Sequence, residues 1–218
     1  AISNSYAQGN VYTTSYNAWW LIGYVTNNVT ISSSYALGDA AGDNSVGWLV
    51  GALSNSSITS SYAKGNATSV TQFAGWLVGY AGDLTASYCY AMGDVYAWTN
   101  AAGALFGITN GWTINDCFSA GWVSGTNNVW WLVWVNQLDF FEETQTPFVD
   151  VLGDITNRNP SYDTTDWGSW LTTEEMHNIL SYSGIWDISS TGVNLNGEYP
   201  FLSWQVGDSS PMWYIYLE

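Results

Sequence analysis

The sequence predicts an all-β chain: a right-handed parallel β-solenoid of about five 28-residue coils, with a mixed, irregular C-terminal cap containing one short helix. Two observations point there first. An aromatic residue recurs one position before a small residue and three before a glycine, in SYAQG, SYALG, SYAKG, CYAMG and CFSAG. The steps between Tyr6, Tyr35, Tyr62, Tyr90 and Phe118 are 29, 27, 28 and 28 residues. A second marker keeps the same phase, in WWLIG, GWLVG, GWLVG, GALFG and WWLVW. Its leucines, Leu21, Leu49, Leu77, Leu105 and Leu132, are spaced by 28, 28, 28 and 27 residues. Units this short cannot bury their own apolar faces, so they must form a continuous core by stacking on one another.

The third observation is the make-up of each unit. ISSSY at Ile31–Tyr35 and ITSSY at Ile58–Tyr62 alternate apolar and small polar residues, as a half-buried strand does. Trp48–Val50 is a short apolar run between Gly47 and Gly51, and the intervening GDAAGDNS, LSNSS and GNATS are rich in turn formers. No helical stripe runs through the repeats. A propeller blade would need four strands and more residues than one period supplies.

The segments 47–66 (GWLVGALSNSSITSSYAKGN) and 75–94 (GWLVGYAGDLTASYCYAMGD) resemble the GLUG-motif repeat family, and 171–205 resembles the tail that often follows such repeats. Trp48 and Trp76 stand where the familiar pattern prefers glycine. The resemblance implies a secreted or surface β-helix, often adhesin-like, with no defined catalytic residues.

Composition divides the chain in two. Only five of the 18 acidic residues lie in 1–138, the repeat region; the other 13 lie in 139–218, read as a capping and assembly module. Lysine and arginine total two, Lys64 and Arg158, and the net charge is −16. Such a chain lacks the cationic surface that nucleic acid or an anionic membrane requires. Lysine is a common guard on exposed strand edges, so its scarcity points to self-association, end to end or side by side. Together these features predict a secreted chain whose leader has been removed, acting as a non-catalytic structural subunit of a filament, sheath or surface layer. An adhesin or glycan-binding solenoid is the alternative. A β-helical carbohydrate enzyme is a third reading that the residues hardly support. A uronate lyase needs cations or calcium for its substrate, and Lys64 and Arg158 are far apart. The single histidine, His177, falls in a short helix expected at 172–181, capped by Thr172 or Thr173.

Several columns are candidate sites. Trp20, Trp48, Trp76 and Trp131 share one slot, with Ala104 interrupting, and Trp134 lies nearby. If the adjacent leucines point inward, strand alternation turns these indoles outward as an interaction stripe. The stripe would glue solenoids together, stack on sugar rings of a polysaccharide, or lie under the C-terminal segment. The tyrosine column reads as core. Cys89 and Cys117 fill the slot of Ser5, Ser34 and Ser61 on adjacent coils, within reach of a disulfide, with packed thiols the alternative. Asn28, Asn55 and Asn66 open glycosylation sequons in expected turns. Asp39, Asp94 and Asp116, with Asn10 and Asn66, read as a repeated Asx turn. No cofactor or metal is called for. The closing WYIYL at 213–217 would close the last coil or add to the first coil of another molecule.

Overall fold

A computed structural model gives the fold and describes residues 1–14, 18–19, 21–98, 102–121, 123–125, 129–130, 133–135, 150–156, 169–171, 201–206 and 213–214. The chain is a parallel β-solenoid. Tyr6, Tyr35, Tyr62, Tyr90 and Phe118 are Cα partners in four successive parallel pairings, so text written 27 to 29 residues apart becomes one vertical column.

Each coil has four faces. The longest carries the strands Val50–Thr59, Val78–Ser87 and the first part of Phe106–Ala120. In the earliest coils it is split into Ile22–Thr26 and Thr30–Ser32. The second face carries Tyr6–Gln8, Tyr35–Leu37, Tyr62–Lys64 and Tyr90–Met92. The third stacks Val11–Tyr12, Ala40–Gly42, Ala67–Ser69, Val95–Ala97 and Val123–Gly125. The fourth stacks short pairs such as Val46–Gly47, Ala74–Gly75 and Ala102–Gly103.

The core is narrow because the small faces contribute small side chains. Ala36, Ala63 and Ala91 point in from the second face, and Ala40, Ala67 and Val95 from the third. The long face supplies the bulk: Ile31, Ile58, Ala86 and Ile114 stack as one column, and Val50, Val78 and Phe106 as another, all buried. Leu49, Leu77 and Leu105 are fully buried, and their backbones are hydrogen-bonded rung to rung, Leu49 N–H to Leu77 O at 3.1 Å and Leu77 N–H to Leu105 O at 2.9 Å.

Corners are made by residues in the left-handed region. One column, Asn4, Ser33, Ser60 and Tyr88, has φ of 49°, 47°, 49° and 54° and turns the long face into the second. The SYAxG glycines Gly9, Gly38, Gly65, Gly93 and Gly121, with φ of 124° to 145°, turn the second into the third. Only glycine fits there, for two reasons. The dihedral penalises any side chain, and rungs press together: a Cβ on Gly93 would lie 1.9 Å from the Gly65 carbonyl oxygen.

From the C-terminal region, Asp150–Thr156 runs antiparallel to the last long strand, with Thr113 opposite Thr156 and Cys117 opposite Gly153. Ser169–Leu171 pairs with it in turn. Trp213–Tyr214, from the closing aromatic run, pairs antiparallel with Phe201–Leu202. The rest of the closing run, 215–217, lies outside the described residues. The helix expected at 172–181, with His177, lies outside the described residues.

Gly93→Ala is expected to cost about 3 kcal/mol or more in denaturant unfolding, from strain and overlap together. Gly82→Ala, where the nearest atom to a new Cβ is 3.4 Å away, should change stability by less than about 1 kcal/mol.

Candidate functional site

The tryptophan slot is not an exposed stripe. Trp48 and Trp76 are 0% and 1% exposed. Strand alternation does not apply here, because Trp48 and Leu49 lie in a bend between strands, where neighbouring side chains are free to point the same way. Their indoles reach into space that glycines leave: a Cβ on Gly65 would meet Trp48 Cη2 at 1.9 Å, and one on Gly121 would meet Trp76 Cη2 at 2.5 Å. The Nε1–H groups of Trp48 and Trp76 are buried with no acceptor among the described residues. Trp20 and Trp131 lie outside the described residues. Trp134 lies in the strand Val133–Val135, its side chain outside them.

The tyrosines are on the outer side of their face. Ala36, Ala63 and Ala91 alternate with them into the main core, while Tyr62, Tyr90 and Phe118 form a separate cluster with Leu202. The rings form one continuous stack, with centroids 4.9 to 5.1 Å apart and planes within 7°. Leu202, Trp204 and Gln205, which sequence reasoning did not place, pack against this ladder. Trp204 lies 6.1 Å from the Tyr35 ring and 5.7 Å from the Tyr62 ring, and its Nε1–H donates to Ser60 O at 2.9 Å. Gln205 Oε1 accepts from Tyr90 Oη–H at 3.1 Å and from the Leu202 N–H at 2.8 Å. Tyr6, on the first rung, is 60% exposed.

Burial pushes the Tyr62 hydroxyl pKa up, and neighbouring Tyr35 adds to this while a hydrogen bond from Gln205 opposes it. Lys64 shares that face, its Nζ 5.9 Å from the Tyr62 ring centre and 6.0 Å from that of Tyr90. Loss of solvent lowers its pKa to about 8.

Cys89 and Cys117 are free, buried thiols and not a disulfide. They continue a serine ladder. Ser5 N–H donates to Ser34 Oγ at 3.3 Å, Ser34 N–H to Ser61 Oγ at 3.2 Å, and Cys89 N–H to Cys117 Sγ at 3.3 Å. Each hydroxyl or thiol donates to the carbonyl two residues earlier: Ser34 to Ser32, Ser61 to Thr59, Cys89 to Ser87, Cys117 to Asn115. Both sulfurs therefore point back along their own coils, not at each other.

The repeated Asx turn is an intercoil ladder. Asp39 N–H donates to Asn10 Oδ1 at 2.9 Å, Asn66 N–H to Asp39 Oδ1 at 3.0 Å, and Asp94 N–H to Asn66 Oδ1 at 3.0 Å. Asp116 is not a member: it lies within the strand Phe106–Ala120. The ladder also separates the three sequons. Asn66 Nδ2–H donates to Asp39 Oδ1 at 3.0 Å, so its amide is engaged. Asn28 and Asn55 are exposed, and their side chains have no partner among the described residues.

Those two asparagines line an open groove of about 360 Å³ on the long face, together with Thr30, Ser57, Asp83 and Thr85. The groove lies at a kink: Asn28, Asn55 and Asp83, on successive rungs, have φ of 61°, 46° and 49° and break the extended run of the long face. Beside them, Thr30, Ser57 and Thr85 are Cα partners, forming a hydroxyl column in which Ser57 Oγ–H donates to Thr30 Oγ1 at 3.1 Å. Among the described residues, no three His, Cys, Asp or Glu side chains cluster as metal ligands.

Comparison with protein-family models, with curated proteins and with solved structures brings no match to this chain.

Cys117→Ser should retain native stability within about 1 kcal/mol, since serine accepts the preceding rung's N–H on two other rungs, at Ser34 and Ser61. Cys117→Ala leaves the Cys89 N–H without its acceptor and should cost about 1–3 kcal/mol, read by denaturant unfolding.

The Lys64 shift predicts a pH dependence. Below pH 8 the amine is charged whether the chain is folded or not. Above it, the folded chain sheds the proton while the unfolded chain holds it up to the ordinary lysine value of 10.5, so stability rises with pH. Between pH 8 and about 9.5, before unfolded tyrosines ionise, wild type should gain on the order of 1 kcal/mol over Lys64→Met. Parallel unfolding curves at both pH values check this.

Proposed function

We propose that the chain is a non-catalytic extracellular structural protein, the subunit of a self-assembling filament, sheath or surface layer, with kinship to GLUG-motif repeat proteins. One observation carries this reading. Rungs of near-identical sequence pair in parallel and in register, Tyr6 with Tyr35, Tyr35 with Tyr62 and Tyr62 with Tyr90, so any rung presents the edge that another like rung fits. The described coils also leave large aromatic side chains exposed, Tyr6, Tyr12, Trp19, Tyr24 and Trp98 among them. Lysine, the common guard of strand edges, occurs once in the chain, at Lys64.

The partner is a second copy, whose coil offers the same spacing of strands and columns. Stacking of like rungs between copies satisfies backbone groups and extends the aromatic stack in one step. The high negative charge keeps free subunits apart and makes assembly favour raised salt, which shortens the range of repulsion. Light scattering and negative-stain imaging of the chain at rising concentration and salt test the idea. Elongated oligomers are expected, and Ser3→Lys with Tyr12→Lys, in the strands Ile2–Ser3 and Val11–Tyr12, should return the protein to monomers. Monodisperse single subunits at high concentration and high salt would sink the reading.

A further inference from the structure

We propose that the kinked groove of the long face binds an uncharged oligosaccharide laid along the stacking axis, in direct hydrogen bonds with the column side chains. Binding here does not require self-assembly: the groove opens sideways on the long face, from Asn28 and Thr30, just past the strand Ile22–Thr26, through Asn55 and Ser57 to Asp83 and Thr85.

Elsewhere on the solenoid, repeated polar side chains are used up between rungs, as in the serine–cysteine ladder and the Asn10–Asp39–Asn66–Asp94 ladder. In the groove the amides of Asn28 and Asn55, the carboxylate of Asp83 and the hydroxyl of Thr85 have no partner among the described residues. The backbone that presents them is in the left-handed region at Asn28, Asn55 and Asp83 and hydrogen-bonded to its neighbours, Asn28 N–H to Asn55 O among them. Little ordering cost therefore remains for these groups on binding.

Spacing selects the ligand class. Rungs repeat at ~4.8 Å, so the three kink residues extend over about 10 Å. A hard cation holds its oxygens at about 2.3–2.6 Å and needs six or more of them; a column this long, with one carboxylate, cannot close around it. The matching ligand is extended, repeats at sugar-ring intervals, and offers both donors and acceptors. Amides and hydroxyls serve either role, and the Asp83 carboxylate accepts from paired hydroxyls. The net charge of −16 selects against uronates, sulfated glycans and other polyanions. No aromatic side chain is among the groove's lining residues, so hydrogen bonding and not ring stacking supplies recognition.

The test is calorimetric titration of the purified chain with four soluble neutral probes: cellohexaose, laminarihexaose, mannohexaose and chitohexaose. Oligogalacturonate serves as the charged comparison. At least one neutral probe is expected to bind with and without EDTA. Asn55→Gly, which keeps the left-handed backbone, and Thr85→Val, which keeps the side-chain shape, should each weaken binding by about tenfold. Trp98→Ala, an exposed aromatic outside the groove, should leave it unchanged. Thermal melts of the three variants confirm that each is folded. Binding of none of the neutral probes, binding that EDTA abolishes, binding confined to oligogalacturonate, or binding indifferent to both groove variants overturns the proposal.

Discussion

Residues on the inner rungs of this solenoid sit between copies of their own slot, and that repetition governs the described structure. A side chain that suits one rung must tolerate a near-identical neighbour about 4.8 Å above and below. Glycine at Gly9, Gly38, Gly65, Gly93 and Gly121 is the strictest case, because the carbonyl of one rung occupies the place where the next would carry a Cβ. Alanine lines the narrow faces for a related reason: two facing columns of larger residues would not fit across the interior. The bulk needed to fill the middle comes from the long face and from the corner tryptophans, whose rings use the volume that glycine leaves vacant.

Much of this was legible in the sequence. The shared period of the tyrosine and leucine markers fixes vertical stacking with no knowledge of contacts, and Leu49, Leu77 and Leu105 fall in one buried column. Which way a column points was less legible. Alternation assigns facing only inside strands, and Trp48 sits in a bend, so its indole turns inward beside Leu49. The tyrosine column is core as its sequence suggests at Tyr62, Tyr90 and Phe118, but the cluster is a second one outside the alanine-lined interior, and Gln205, 115 residues beyond Tyr90, bonds to it. Nothing in FLSWQ announces where it docks, since the match of Trp204 and Gln205 to the ladder arises only after the ladder exists. The cysteines were placed in the right slot, yet their chemistry followed the serines of that slot and not the oxidation chemistry of thiols. The groove was invisible because it lies at a kink at Asn28, Asn55 and Asp83, not at a motif.

Stacked polar side chains divide into two kinds. Those that bond between rungs act as struts: they satisfy a backbone N–H at a corner and hold the register. Those that do not are left facing solvent in a fixed array. The distinction explains why three sequons with the same pattern are physically unlike, the Asn66 amide being a strut and those of Asn28 and Asn55 not.

The ladder of Asn10, Asp39, Asn66 and Asp94 alternates amide and carboxylate. Neighbouring carboxylates at one rung's separation would repel by on the order of 1 kcal/mol in a watery setting; here an amide always intervenes. The smallest unit that repeats this pattern is thus a pair of coils. Doubling an aspartate-bearing coil alone would set like charges on adjoining rungs, whereas doubling a pair of coils keeps an amide between carboxylates.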